Sequence, residues 1–424
     1  MDVLDYHLQH VLRRILGALP YEERRRYKSI LLCGQKAIKQ SGAMNGVYIL
    51  KSDDQAKFFG QVHCQNPFVC PVCSARIMEK YRARIASALD MLHEEYFGFM
   101  VTFTLPHLKF MSCREITDIL YDTWKYFRSK LGNGHDKTYE HPYKKFTREC
   151  EVEHWVRVCE YTYSDINGWH PHFHCIFWCK RDKADKVAAY QKELNEFWTA
   201  QGKRVTMKYW KTHKLHEDVD DREGLLERLY QKVCNKYPAL KMSVDASGKL
   251  IETKSSDYVS GWGSDREATG NVRKEASHES HYTPFQILEK AEHDAHWANI
   301  YVDFVRAVTR KPVHHRLDFS RTGICKQIKQ WQATHGYDST SKQKKSAVWK
   351  VVAFFNESQW SDLCYKNQYA PVLSNILYLA GANTDLMFDY LRSLDVRLSE
   401  PLSEMAAKTL TKQITLVEQI FNAA

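Results

Sequence analysis

The chain has 424 residues, 44% of them hydrophobic and 13% aromatic, with a formal charge of +10 and a pI near 8.9. That length allows two or three domains with a sizeable core, and the apolar content excludes a disordered chain. The basic balance suits a polyanionic partner; no run of about 18 apolar residues marks a membrane helix; and twelve cysteines without a secretory signal point to a reducing, cytoplasmic setting.

In chain order, residues 1–32 read as an Arg-rich helix, and Met1–Pro20 does not read as a signal peptide. Cys70-Pro-Val-Cys73 has the two-residue spacing of a zinc knuckle, with Cys64 six positions earlier and Cys33 as the fourth thiolate. His63 is an alternative ligand. Val47–Leu50 and Ala56–Phe59 read as short strands that fold back to bring Cys33 near. Ile77, Tyr81, Ile85, Ala88 and Leu92 fall at helical spacing, which turns Lys80, Arg82 and Arg84 outward. Phe97–Leu105 reads as a central strand, Cys113–Leu131 as a helix, and 132–150 as a polar loop.

Trp155–Tyr163 and Trp169–Trp178 are rich in β-branched and aromatic residues and flank a short polar stretch, Ser164–Gly168, so they predict a β-hairpin. Side chains two apart in a strand share a face. His170, His172 and His174 therefore point to one side, and Phe173, Cys175 and Phe177 to the other. Glu160 lies across from the histidine strand and can complete a metal site; Asp165 is the nearest rival. His172 and His174 with Glu160 are the expected ligands; two histidines and one carboxylate leave positions open for substrate oxygens and suit Mg²⁺ or Mn²⁺. Further on, Ala184–Ala200 reads as a helix, Arg204–Trp210 as a strand, 211–255 as a charged insertion holding a helix near Arg222–Val233, and Thr283–Ala307 as a helix. Residues 335–346 read as a linker, and Val348–Ala424 as mostly helical.

Four stretches together resemble the HUH endonucleases, in particular the replication initiators of rolling-circle plasmids. They are Cys64–Ile77, the Glu160–Trp178 hairpin, Asp257-Tyr-Val-Ser260, and His281-Tyr-Thr-Pro-Phe-Gln-Ile-Leu288. The histidine hairpin is the specific part, and a metal motif that precedes the tyrosine is the order of the initiator class. The resemblance implies an α+β fold with an antiparallel central sheet and helices on one face. The expected domains are an amino-terminal Cys-rich zinc module (1–92), a nicking domain (93–334) and a helical carboxy-terminal domain (335–424).

The implied activity is nicking and joining of single-stranded or cruciform origin DNA, with a tyrosine hydroxyl keeping the 5′ end as a phosphotyrosine and a free 3′-OH left to prime replication. Tyr258 is the expected nucleophile, with Tyr237 and Tyr282 in reserve. Relatives usually carry Lys three residues after the tyrosine; Gly261 stands there in this chain, and Lys254 and Arg266 are the candidates for that cation on the DNA. Glu252 reads first as a surface carboxylate, with a base for activating a hydroxyl or water as the alternative. The sequence contains no Gly-x-x-x-x-Gly-Lys-[Ser/Thr], so unwinding would fall to a host helicase. Transposition by the same chemistry, a zinc-bearing nucleic-acid binder that never cuts, and homo-oligomerisation are left open.

Overall fold

A computed structural model describes residues 3–38, 46–52, 55–129, 140–234, 236–254, 281–309, 317–320, 322–335, 349–366 and 370–396. The fold is α+β with two antiparallel sheets. The strands are β1 (Gly46–Ser52), β2 (Gln55–Phe59), β3 (Tyr96–Phe103), β4 (Val152–Ser164), β5 (Gly168–Lys180), β6 (Leu240–Met242), β7 (Leu317–Phe319) and β8 (Lys350–Asn356). Among the described residues no helix is long and apolar enough to cross a membrane.

The chain forms two compact units. One comprises Met1–Ile77, Leu288–Asp294 and Lys342–Ala424; the other comprises Met78–Ile287 and Ala295–Ser341. This differs from the three-part division expected at 1–92, 93–334 and 335–424. The carboxy-terminal segment is not a separate helical domain, because its first element is a strand: β8 pairs antiparallel with β1, Val47 opposite Phe355 and Ile49 opposite Ala353. In the sheet order β2-β1-β8, Val47, Ile49, Phe58, Ala353 and Phe355 face inward onto Trp360 and onto Val372, Leu373 and Ile376 of the Ala370–Ala382 helix. The Cys33, Cys70 and Cys73 side chains belong to the same core.

The second unit is built on a five-stranded sheet of order β6-β3-β5-β4-β7. One face is densely aromatic. Phe99, Phe103, Trp155, Phe173 and Phe177 are buried together with Trp124 and Phe127 of the Cys113–Arg128 helix, Phe146 of the Pro142–Glu149 helix and Trp198 of the Gln191–His213 helix. Each such ring contributes about 1.5–3 kcal/mol through burial alone. Arg157 lies within this layer, its guanidinium 4.5 Å from the centre of the Phe173 ring and 4.7 Å from that of Tyr121.

The other face is covered over half its length, which corrects the expectation of helices on one face only. Ile85, Leu89 and Leu92 with Ile324 and Ile328 pack on Val156, Val158, Ile176 and Trp178. Strands that are apolar on both faces at that end demand cover on both. Further along the same face β4 and β5 turn polar, and there Glu160, His172 and His174 stand.

Several local expectations are also corrected. Arg204–Trp210 is not a strand but the second half of the Gln191–His213 helix. Its β-prone composition is overridden by the helical spacing of the buried Leu194, Trp198, Gly202, Val205 and Tyr209. Residues 142–149 of the expected loop are helical, with Pro142 in the first turn. The 211–255 insertion contributes β6, which extends the sheet beside β3. The helix expected at Thr283–Ala307 is interrupted between Pro284–Lys290 and Ala295–Val308, and that at 1–32 breaks after Gly17, ahead of Pro20, and resumes as short helical turns over Tyr21–Arg24, Arg25–Tyr27 and Lys28–Leu31. Arg82 is 7% exposed rather than outward, forked onto the Glu79 carboxylate at 2.8–3.3 Å.

Candidate metal centres

The first centre follows from the register of one hairpin. β4 and β5 are joined by Asp165–Asn167, and Gly168 closes the turn at φ +77°, a conformation that costs glycine little. That turn sets Glu160 directly opposite His172, and His174 lies two residues on along the same face. Glu160 Oε2 stands 2.9 Å from His172 Nε2 and 2.8 Å from His174 Nε2. All three ligand atoms lie within 4.8 Å of one another, so the group can hold a metal ion.

The other ring nitrogens are held from behind. His172 Nδ1 donates to the carbonyl of His170 at 3.3 Å, and His174 Nδ1 lies 3.2 Å from Thr102 Oγ1 on β3. A neutral ring that donates through Nδ1 presents a bare lone pair at Nε2. Acceptors then face a carboxylate oxygen, an arrangement that needs a positive charge between them. Either protons on the imidazoles supply it or a cation does. Adjacent ligands of an octahedral ion at about 2.1 Å would be about 3.0 Å apart, close to both observed separations. Burial alone would raise the Glu160 pKa, but His172 and His174 more than offset it and hold the carboxyl well below its usual range. The side chain is 11% exposed, so the site keeps an opening to solvent.

The third histidine of the motif is placed differently. His170 Nδ1 pairs with His107 Nε2 at 2.9 Å, and the two rings are tilted against each other. Burial, helped by His172, His107 and His281, holds the His170 pKa well below the usual imidazole value, and burial lowers that of His107 to about 4. Both rings are therefore neutral near pH 7. His107 and Thr102 were missed from sequence; their only signal was the pairing of β3 with β5, which no local pattern announces.

The second centre gathers Cys33, Cys64, Cys70 and Cys73. Cys73 lies in the first turn of the Pro71–Leu92 helix, and the β1–β2 fold-back returns the chain to Cys64 beside Cys33. The Sγ separations are 3.5 Å for Cys33–Cys73 and 3.6 Å for both Cys64–Cys73 and Cys33–Cys70. Thiolates at about 2.3 Å from a tetrahedral zinc stand about 3.8 Å apart, so a small expansion admits the ion. Gln9 donates to the Cys33 carbonyl at 3.0 Å and to Cys70 Sγ at 3.7 Å, and Arg13 also donates to that carbonyl. Hydrogen bonds from Cys64, Cys70 and Cys73 hold the Cys33 thiol well below its usual pKa, which keeps a thiolate in the cluster. His63 Nδ1 lies 3.8 Å from Cys33 Sγ, beside the four sulfurs. These four cysteines could hold a metal such as zinc.

The remaining candidates are dispersed. Tyr258 and Arg266 lie outside the described residues. Lys254 is exposed and follows Thr253, whose N–H donates to Gly98 O at 2.7 Å. Gly98 pairs with Trp178, about 13 Å along β5 from His174, so Lys254 is not beside the triad. Glu252 is ion-paired to Arg181 at 2.7 Å, past the far end of β5, which fits its reading as a surface carboxylate and not the alternative of a base at this site. Asp165 is exposed on the hairpin turn, about 16 Å along β4 from Glu160, and is no rival ligand. Tyr237 is exposed on a loop, and Tyr282 bridges backbone to backbone with Tyr163. No family model, curated protein or solved structure matches this chain.

Proposed function

We propose that the chain is a metal-dependent DNA nicking and strand-transfer enzyme of the HUH type, acting on single-stranded origin DNA to start rolling-circle replication. The observation that carries this reading is the convergence of Glu160, His172 and His174 on one point of a rigid hairpin. Two imidazoles and a carboxylate suit Mn²⁺ somewhat better than Mg²⁺, which prefers an all-oxygen sphere. A bound divalent ion would supply Lewis-acid stabilisation of charge on a phosphate. The hairpin fixes the ligand set, and Thr102 and the His170 carbonyl fix the ring orientations. The surplus of positive charge lies almost wholly before residue 341, since 341–424 is nearly neutral, and it favours a polyanionic substrate.

In this reading the Tyr258 hydroxyl gives up its proton and bonds to a backbone phosphorus. The bond from phosphorus to the 3′ oxygen breaks, and that oxygen takes a proton to become the free 3′-OH. Attack on the phosphotyrosine by a DNA 3′-OH reverses the bookkeeping and rejoins the strand. The test is a labelled single-stranded origin oligonucleotide with Mn²⁺, read as a slower covalent adduct on a denaturing gel. Tyr258→Phe removes the adduct and keeps metal binding, whereas His172→Ala or His174→Ala removes the metal dependence. Tight DNA binding with no adduct in any divalent metal would replace this reading with a non-cutting zinc protein.

A further inference from the structure

The loop that leaves β3 carries an aromatic ring that the fold holds outward. Trp198 Nε1 donates to Thr104 O at 2.7 Å, Thr104 N donates to Ala239 O at 2.7 Å, and Met111 N donates to Leu108 O at 3.0 Å. His107 is tied to His170 on the strand face that bears His172 and His174. The backbone at Lys109 lies so close to Gly168 that a Cβ there would sit 2.9 Å from the Lys109 carbonyl oxygen. On this braced loop Phe110 is 54% exposed.

The Phe110 ring leans on His216, centroid to centroid 4.8 Å. His216 is itself anchored: its Nε2 is 3.0 Å from Glu115 Oε1, a buried carboxylate that also accepts from Trp210 Nε1 at 2.5 Å. Lys109, next to Phe110 in the chain, and Lys214, two residues before His216, are both exposed. A backed, outward ring with exposed lysines close by in the chain, three residues from the histidine that touches the metal hairpin, matches the chemistry of a nucleobase stack beside a phosphate backbone.

We propose that Phe110 is the stacking platform for an unpaired base of the DNA strand held at the Glu160–His172–His174 centre. This deepens the function proposed above and rests on its single-stranded substrate. The braced loop orders the ring before binding, so little conformational entropy is lost when a base arrives. A stacked face is open in single strands and covered in a duplex, so the platform also selects against paired DNA.

The test uses the full chain, fluorescein-labelled dT20 and the matching dA20·dT20 duplex at low salt without chelator or added divalent metal, read by anisotropy. Phe110→Ala weakens dT20 binding by about 5- to 150-fold, as loss of one base stack predicts. Phe110→Trp stays near wild type, the duplex affinity barely moves, and Tyr378→Ala, an exposed aromatic of the other unit, has no effect. Unchanged dT20 binding by Phe110→Ala overturns the platform and leaves the DNA reading standing. Equal losses on duplex and single strand, or a Trp variant as weak as the Ala variant, also overturn it. A wild-type chain that does not hold dT20 at all sinks both proposals.

Discussion

Cys70→Ser tests the four-cysteine centre with little disturbance of packing, since the two side chains are nearly isosteric and Cys70 is fully buried. Three edges of the sulfur cluster, at 3.5–3.6 Å, fall short of a zinc tetrathiolate by only about 0.2–0.3 Å, so the site is pre-formed. Structural zinc contributes about 10–16 kcal/mol of apparent binding free energy. Shared over four ligands, that is about 3–4 kcal/mol for each thiolate, or roughly 100- to 1,000-fold in zinc affinity. A loss of that size is a large fraction of the about 5–15 kcal/mol that holds a domain folded. It falls on the core that Cys33, Cys70 and Cys73 share with Ile49, Phe355 and Trp360. The assay is zinc content by inductively coupled plasma mass spectrometry, with calorimetric melting before and after a zinc chelator. Wild type should hold one zinc ion and lose about 10 °C or more on chelation; Cys70→Ser should start at the lower temperature and ignore the chelator. Cys364→Ser, a cysteine of the same unit outside the cluster, should behave as wild type. A chain purified from zinc-replete medium that carries no zinc, or a Cys70→Ser chain with unchanged zinc and melting, would refute the reasoning and leave four unligated thiols.

Two further outcomes are expected. In the metal-free chain the Glu160 carboxyl has a depressed pKa, so its stabilisation is complete above the unfolded value of about 4.3 and is lost as pH falls through that value toward the folded one. Between pH 5 and pH 3 wild type should therefore lose more melting temperature than Glu160→Gln. Parallel acid limbs would show that the imidazoles do not hold the carboxylate. Gly168→Ala forces a left-handed residue at the hairpin turn and drives its Cβ against the Lys109 carbonyl, at a cost of about 1–2 kcal/mol or more; an unaltered urea midpoint would contradict the turn described.

The hairpin was legible because its information is local. Alternation placed Glu160 and the three histidines on one face, and the short polar stretch after Tyr163 announced the turn that sets Glu160 opposite His172. The Cys-x-x-Cys spacing was legible for the same reason. What alternation could not do was choose among His170, His172 and His174, which share one face. That choice depends on Thr102 of β3 and His107 of the loop that follows it, more than sixty residues earlier, which claim His174 Nδ1 and His170. The Arg204–Trp210 segment misled because β-branched and aromatic residues pack equally well on a buried helix face. The reading of the tail as helical overlooked β8, whose partner β1 lies some 300 residues away.

Sequence by itself determined which side chains share a strand face or a helix stripe, because those periods are properties of the backbone. Tertiary structure alone decided which faces meet: that β8 and the Ala370–Ala382 helix return to β1 around the cysteine cluster, that helices cover half of the second sheet face, and that Thr102 and His107 back the histidines of the hairpin. Those pairings arise from long-range burial and hydrogen bonding, and the free energy that selects them is spread over residues with no common local pattern.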